Sequence, residues 1–433
     1  MPSRRNKGGL LARVNFPLYT LQMLTSRHIL VGGGGGSSKT GVANGFEIFE
    51  LLHDGVQFIA EEVTRHETGP IVVMNCATYN NAKRSWILAG QENHCQLYNV
   101  NTKIVNLENG EIIKKVTNVT KDSVRNRKAN EKMEEERKST KGKIEEIKDD
   151  NSNIKNKRLQ LVIKPVDSVQ TDFSEDESLQ RIVRISSNGK LMATGGTDGC
   201  IRIWKFPQLQ KLHDLKAHQK EIDDIDFSPD GNSLITIAKD GKAILWDIAS
   251  GSLNKELTWN SPNNAKYMYK RCRFRISEVD ISLNQLFLLS NATMAKDPSF
   301  LQLWDTESSN IIKSITYKET LSALAVSDDG KFVAVGTMFS GSVDIYIAFS
   351  LRRVLHVPGA HNMFVTGLEF LPTKLDGPPI TSNTETSVIS ISIDNRICIH
   401  SIPFRHTIPF WFGMFLIILC ICAAFTFCSY LGI

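Results

Sequence analysis

One stretch constrains the fold more than any other. Residues Glu221–Trp246 read EIDDIDFSPDGNSLITIAKDGKAILW, which is an alternating strand, a Pro-Asp-Gly turn, a second strand, an Asp-Gly turn and a third strand. Each turn has the chemistry of a tight reversal, since Gly tolerates positive φ and Asp hydrogen-bonds its own backbone. The same grammar recurs in RIVRISSNGKLMATGGTDGCIRIW, ending at Trp204, and in LSALAVSDDGKFVAVGTMFSGSVDIYI, ending at Ile347. Weaker copies are HILVGGGGG with GFEIFEL from His28, WILAGQENHCQLYNV from Trp86, FLQLWDTES around Trp304, and SVISISIDNRICIHSI near the end. Seven units at a spacing of roughly 40–50 residues have the period of β-propeller blades. The strand Val14–Thr20 is expected to close the ring beside the last blade, removing free sheet edges.

These units resemble the WD-repeat family, whose blades carry a His–Ser/Thr–Asp–Trp chain of hydrogen bonds. On that resemblance one blade supplies His218, Thr236, Asp240 and Trp246 as a structural tetrad. Another supplies Thr194, Asp198 and Trp204 without an obvious His, and the last supplies His361 and Asp394 with Ile399 where Trp would stand. These polar residues are read as structural and not catalytic.

The chain has 433 residues with 51 Lys+Arg against 46 Asp+Glu, a net charge of +5. Between Asn101 and Gln160 lie 16 basic and 11 acidic residues with no aromatic and no Pro, so the whole excess sits there. Such a segment buries too little apolar surface to order itself, and residues 101–160 are expected to be a charged disordered insertion. Its mixed signs and lack of stacking rings argue against nucleic acid, although a basic arm for nucleic acid or an anionic membrane is the functional alternative. No Cys-x-x-Cys pair occurs among the eight cysteines, which removes structural zinc of the usual spacing.

From Thr407 to Ile433 the chain carries no formal charge, and about 20 apolar residues suffice to cross a bilayer as a helix. A transmembrane helix is expected over 408–430, with residues 431–433 as a lumenal stub. Arg396, Arg405 and His406 precede the span, which favours a cytosolic body by the positive-inside rule. Arg13, Asn15 and Pro17 break any secretory h-region at the N-terminus. The fold expected is all-β: a seven-bladed WD-repeat-like propeller with two blades in 1–100, the charged insertion, the remaining blades in 161–403, and one C-terminal transmembrane helix.

In the first unit, the place held elsewhere by an Asp-Gly turn is taken by GGGGGSSKTGVANG, Gly32 to Gly45. Five consecutive Gly are costly to order, so a plain hairpin would not select them. Read as a P-loop, Lys39-Thr40 leave Ser38 where a Gly belongs, and a strand follows where a helix N-terminus is needed. A flexible hairpin tip and a loop that meets a partner or an ion through backbone oxygens both remain open. His53-Asp54 and His66-Glu67 are scattered pairs, and no Gly-x-Ser-x-Gly elbow accompanies them, so hydrolysis is disfavoured.

FPLYTLQ, the Gly run, KTGVANGF, QTDFS, ATGGTDG, SGSVDIYIAFSL and the C-terminal apolar segment together resemble the Sec-twelve family over nearly the whole chain. That resemblance implies guanine-nucleotide exchange on a Sar-type small GTPase at the endoplasmic-reticulum membrane, the step that starts assembly of coat complex II. It implies a potassium ion in the loop at Gly32, Gly33, Gly34 and Gly35. It also implies an exchange site of Thr40, Gly41 and Asn44, with Asn44 as the residue that meets the GTPase. The alternatives are a membrane-tethered scaffold without exchange activity and a DNA-binding transcriptional regulator.

Overall fold

The computed structural model describes residues 9–37, 41–81, 84–108, 111–112, 157–276, 285–294, 296–373, 380, 382–404 and 410–431. The chain divides into two compact units, Met1–Val100 with Ile163–Ile433, and Asn101–Val162.

The first unit is a ring of seven sheets. Strand β1 (Gly9–Arg13) precedes blade 1, which is β2 (Leu18–Met23), β3 (His28–Gly33), β4 (Asn44–His53) and β5 (Phe58–Gly69). Blade 2 is β6 (Asn75–Asn80), β7 (Ser85–Gln91), β8 (His94–Glu108) and β10 (Lys157–Gln170), and the two-residue β9 (Glu111–Ile112) pairs with β8. Blade 3 is β11 (Gln180–Ile185), β12 (Leu191–Gly196), β13 (Cys200–Lys205) and β14 (Gln210–Lys216). Blade 4 is β15 (Ile222–Phe227), β16 (Ser233–Ala238), β17 (Ala243–Asp247) and β18 (Ser252–Glu256). Blade 5 is β19 (Tyr267–Phe274), β20 (Gln285–Ala292), β21 (Ser299–Asp305) and β22 (Asn310–Tyr317). Blade 6 is β23 (Leu321–Val326), β24 (Phe332–Thr337), β25 (Val343–Ile347) and β26 (Arg352–Val357). Blade 7 is β27 (Val365–Phe370), β28 (Thr384–Ser392) and β29 (Arg396–Pro403), completed by β1.

The ring therefore closes with its own N-terminus, but not through the strand expected. Residues 9–13 pair antiparallel with β29, Gly9 opposite Ile399 and Arg13 opposite Arg396. Leu18–Met23, which overlaps the range Val14–Thr20 expected for closure, is instead the innermost strand of blade 1. The two runs are separated by residues 14–17: the Val14 amide donates to the Asn395 carbonyl at 3.0 Å, and Pro17 has no N–H with which to carry a ladder on.

Burial follows position in the blade. The second and third strands lie between neighbouring sheets, so Leu191–Gly196 and Phe332–Thr337 are buried almost continuously. The fourth strands face solvent on one side, and β5 and β22 alternate accordingly. Each apolar cluster spans two consecutive blades: Ile201 and Ile203 of blade 3 meet Ile222, Ile225 and Trp246 of blade 4. Each such large side chain contributes on the order of 1.5–3 kcal/mol by leaving water.

Two boundaries differ from the sequence reading. Strand β8 continues to Glu108 and β10 begins at Lys157, so both ends of the 101–160 segment are ladder. The β-bonding there needs no aromatic content, because backbone groups supply it. Residues 113–156, and with them the expectation of disorder, lie outside the described residues. The C-terminal helix α1 covers Phe410–Leu431, 22 residues, and residues 432–433 lie outside the described set. Among the described residues no helix is long and apolar enough to cross a membrane; the side chains at 410, 411 and 429 lie outside that set.

Candidate functional site

Strands β3 and β4 pair from His28 opposite Glu50 to Gly33 opposite Gly45, and the residues between them form the Gly-rich loop. Its base is clamped from both sides. The Gly34 amide donates to the Pro17 carbonyl at 3.1 Å, tying the loop to the segment that enters from blade 7. A Cβ on Gly33 would overlap that same carbonyl, so the backbones meet there only because no side chain intervenes.

Asn44 organises the loop. Its Oδ1 accepts from the Gly36 amide at 2.9 Å, while its Nδ2 donates to the Gly36 carbonyl and to the Gly69 carbonyl, both at 3.0 Å. One amide side chain thus holds both backbone groups of Gly36 and stitches the loop to the end of β5. Gly34, at φ +143°, lies against it so closely that a Cβ would overlap Asn44 Oδ1. The side chain is 5% exposed and holds Gly36 from the base of the loop. Gly36 and Gly41 have positive φ with open space around their α-carbons, so bare backbone is presented at these two positions. Thr40, with Ser38 and Lys39, lies outside the described residues.

Beneath the loop Phe46 stacks on His66 at 5.1 Å, and Tyr98 meets both rings edge-on. Burial holds His66 below the ordinary imidazole range, so it is a neutral packing ring. Asp54 accepts from the amides of Val56 and Gln57 and caps its own turn. Neither pair forms an acid/base couple. The segment after the loop is strand β4, so no helix N-terminus is available for a phosphate.

The Gly32–Gly35 stretch offers neutral carbonyl oxygens, and among the described residues no group of three or more His, Cys, Asp or Glu is arranged for a metal. A backbone-only donor set of this kind suits a hard monovalent cation.

The structural tetrad is assembled in blade 4. Trp246 Nε1 donates to Thr236 Oγ1 at 3.0 Å, Thr236 lies 2.9 Å from His218 Nε2, and His218 Nδ1 lies 3.0 Å from Asp240. Burial lowers the His218 pKa despite Asp240, which fits a neutral ring donating from Nδ1. In blade 3 Trp204 donates to Thr194 at 3.0 Å, and Asp172 Oδ2 accepts from the Asp198 amide at 3.0 Å. In blade 7 the expectation for Ile399 is corrected. His361 contacts Asp394 and Ser390, and Ser390 lies 2.7 Å from His400, so His400 takes the Trp position. The spacing from Asp394 to His400 equals that from Asp240 to Trp246, so the Trp position falls one residue beyond Ile399.

Nothing in the repeat pattern marks the ring's centre. A cavity of about 330 Å³ lies among the innermost strands, walled by Arg184, Asp224, Asp226, Arg273 and Glu369. Arg273 reaches Asp224 at 2.6 Å, and Arg184 approaches it at 3.5 Å. Burial pushes Asp226 and Glu369 up to about 7.

The chain matches the WD domain, G-beta repeat family over residues 174–205 and 209–247, which cover the strands of blade 3 and the first three of blade 4. It is 34% identical over 428 residues to the mouse protein named "Guanine nucleotide-exchange factor SEC12", covering 96% of this chain and 95% of the mouse protein. The chain belongs to the SEC12 family. The rat protein of the same name is 33% identical over 433 residues. "SEC12-like protein 1" of Arabidopsis thaliana is 29% identical over 205 residues, 46% of this chain and 48% of the plant protein. Within a SEC12-family propeller the loop of blade 1 stands out, because it departs from the repeat that builds the rest of the ring. Sequence reasoning found that loop and missed its clamps. The Pro17 and Gly69 carbonyls are backbone groups distant in the chain, and only FPLYTLQ, in which Pro17 sits, hinted at one of them.

Proposed function

We propose that the chain is a guanine-nucleotide exchange factor for a Sar-type small GTPase, acting through the Gly32–Gly45 loop at the endoplasmic-reticulum membrane to start assembly of coat complex II. The observation that carries this reading is the Asn44 amide, which fixes both backbone groups of Gly36 within an otherwise entropic run of glycines. Exchange needs no covalent step. A surface that binds nucleotide-free GTPase more tightly than the GDP-bound form weakens GDP binding by the same factor. Little of that binding energy goes into ordering a loop already braced at Pro17, Asn44 and Gly69. The bare backbone at Gly36 and Gly41 permits close approach to a partner's nucleotide-binding segments.

A potassium ion would be held by carbonyl oxygens among Gly32, Gly33, Gly34 and Gly35, where it would supply positive charge to an otherwise neutral run of backbone. Helix α1 is proposed as the membrane anchor. Its 22 residues span about 33 Å at the helical rise, enough for a hydrocarbon core of about 30 Å. Met414, Phe415, Leu416, Ile417, Ile418 and Leu419 are all exposed, so apolar side chains point outward on every side of the helix. Sharing a surface with a lipid-anchored substrate raises the effective concentration.

The test is release of a fluorescent GDP analogue from a Sar-type GTPase by the full chain in lipid nanodiscs. Release in potassium buffer is expected to be at least about tenfold faster than in sodium buffer, the scale of a typical coupling energy. GTPase binding without accelerated release in either buffer would leave a membrane-tethered scaffold.

A further inference from the structure

Strand direction separates the ring's two faces. Strand β4 runs from Asn44, at the Gly-rich loop, to His53, at the turn holding Val56, a rise of roughly 30 Å. In blade 7, β29 runs from Arg396, on the loop's face, to Pro403 on the opposite one. The chain therefore leaves for α1 from the face opposite the Gly-rich loop. Seven residue steps separate Pro403 from Phe410, a reach of at most about 25 Å.

On that opposite face the turns between third and fourth strands differ from blade to blade. Blade 4 presents Ser250 and blade 5 Glu307, both polar, while in blade 3 Phe206 and Leu209 turn inward and are buried. Blade 1 presents Val56, 88% exposed, and blade 6 presents Phe349, 62% exposed. Blades 6 and 1 are the two neighbours of blade 7, so these apolar tips flank the exit of the helix on either side. Exposed Arg352 follows Phe349 at the start of β26, and Phe404 is exposed just beyond β29. In the blade 1 turn Asp54 accepts from the amides of Val56 and Gln57 and remains an exposed carboxylate beside that tip, so the cation of this face is the one next to Phe349.

We propose that this face is a lipid-surface contact: Phe349 and Val56 enter the headgroup layer on both sides of the helix exit, and Arg352 meets phosphate or anionic headgroups. An apolar tip beside a cation is the combination that interfaces bind, and the short tether keeps these tips within reach of the bilayer. The Gly-rich loop then faces away from the membrane, and the GTPase is met from the aqueous side. This inference rests on α1 spanning the bilayer, so its test carries a separate control for the span.

Full-length chain is placed in nanodiscs of phosphatidylcholine with a quarter phosphatidylserine, with the photo-crosslinker benzoylphenylalanine replacing one residue at a time. Positions are Phe349 and Val56 on the proposed contact, Phe339 at an exposed hairpin tip on the loop's face, and Phe415 in α1. Lipid adducts, read by mass, are expected at Phe349, Val56 and Phe415, at least about tenfold above Phe339, as burial of a tip in the interface requires. Adducts at Phe415 but not at Phe349 and Val56, or equal adducts at Phe339, overturn the contact and leave the span standing. No adduct at Phe415 overturns both. Unchanged thermal unfolding of each variant excludes misfolding as the cause.

Discussion

The loop between β3 and β4 and the turn between β16 and β17 occupy the same place in blades 1 and 4. In blade 4 the connection is the Asp-Gly pair Asp240-Gly241, locked from behind by His218, Thr236 and Trp246. In blade 1 the connection is ten residues long, and the brace is a single Asn amide on Gly36 and Gly69. The blade 4 side chains act on packing between strands, whereas Asn44 acts on the shape of exposed backbone. The difference teaches that blade 1 has given up the repeat's own glue at this connection, and a side-chain amide holds the backbone there instead.

That contrast can be broken at either end. Gly34→Ala places a Cβ on Asn44 Oδ1 at a φ that L residues avoid, so the loop must move. GDP release is expected to slow by about tenfold or more, with strain confined to the loop and little change in Tm. An unchanged rate would mean that the loop's conformation does not matter. His218→Ala should do the reverse. Losing buried hydrogen bonds to Asp240 and Thr236 costs on the order of 1–3 kcal/mol of stability, while release per folded molecule stays within about twofold. Thermal melts and exchange rates on one preparation decide this, and loss of exchange at unchanged Tm would give the tetrad a functional role.

The smallest effect lies at the ring's centre. Enclosure raises the Glu369 carboxyl from 4.5 to about 7, so ionising it opposes folding. Its stabilising share is complete while protonated below about pH 4.5 and is lost as pH climbs through about 7. Glu369→Gln removes that dependence. The variant is expected to melt about 1–3 °C above the parent at pH 8, with the advantage gone at pH 5. Equal melting at both values would show that Arg184 compensates the charge fully.

Much of the ring was legible because turn chemistry and alternation are local. DGKAILW carries its turn, its strand and its Trp within seven residues, and blade 4 follows from them. Where the signal was weaker the register slipped, as with Ile399 for His400, because no Trp marked the strand. The closing strand was placed at Val14–Thr20 instead of Gly9–Arg13, because pairing with β29 spans nearly the whole chain and leaves no local trace. The Gly-rich loop announced itself by breaking the repeat. Its mechanism did not: Asn44 reads as an exposed polar residue until the fold brings Gly36 and Gly69 to its amide. The two faces of the ring were likewise invisible, since they follow from strand direction and not from composition.

The central claim is tested most directly by Asn44→Ala in the full chain, with GDP release from a Sar-type GTPase as the readout. The account predicts release near the unstimulated rate, a loss of about a hundredfold in stimulation, with GTPase binding retained and Tm within a few degrees of the parent. Full stimulation by that variant would contradict it, because a loop without its brace would then be exchanging nucleotide as well as a braced one.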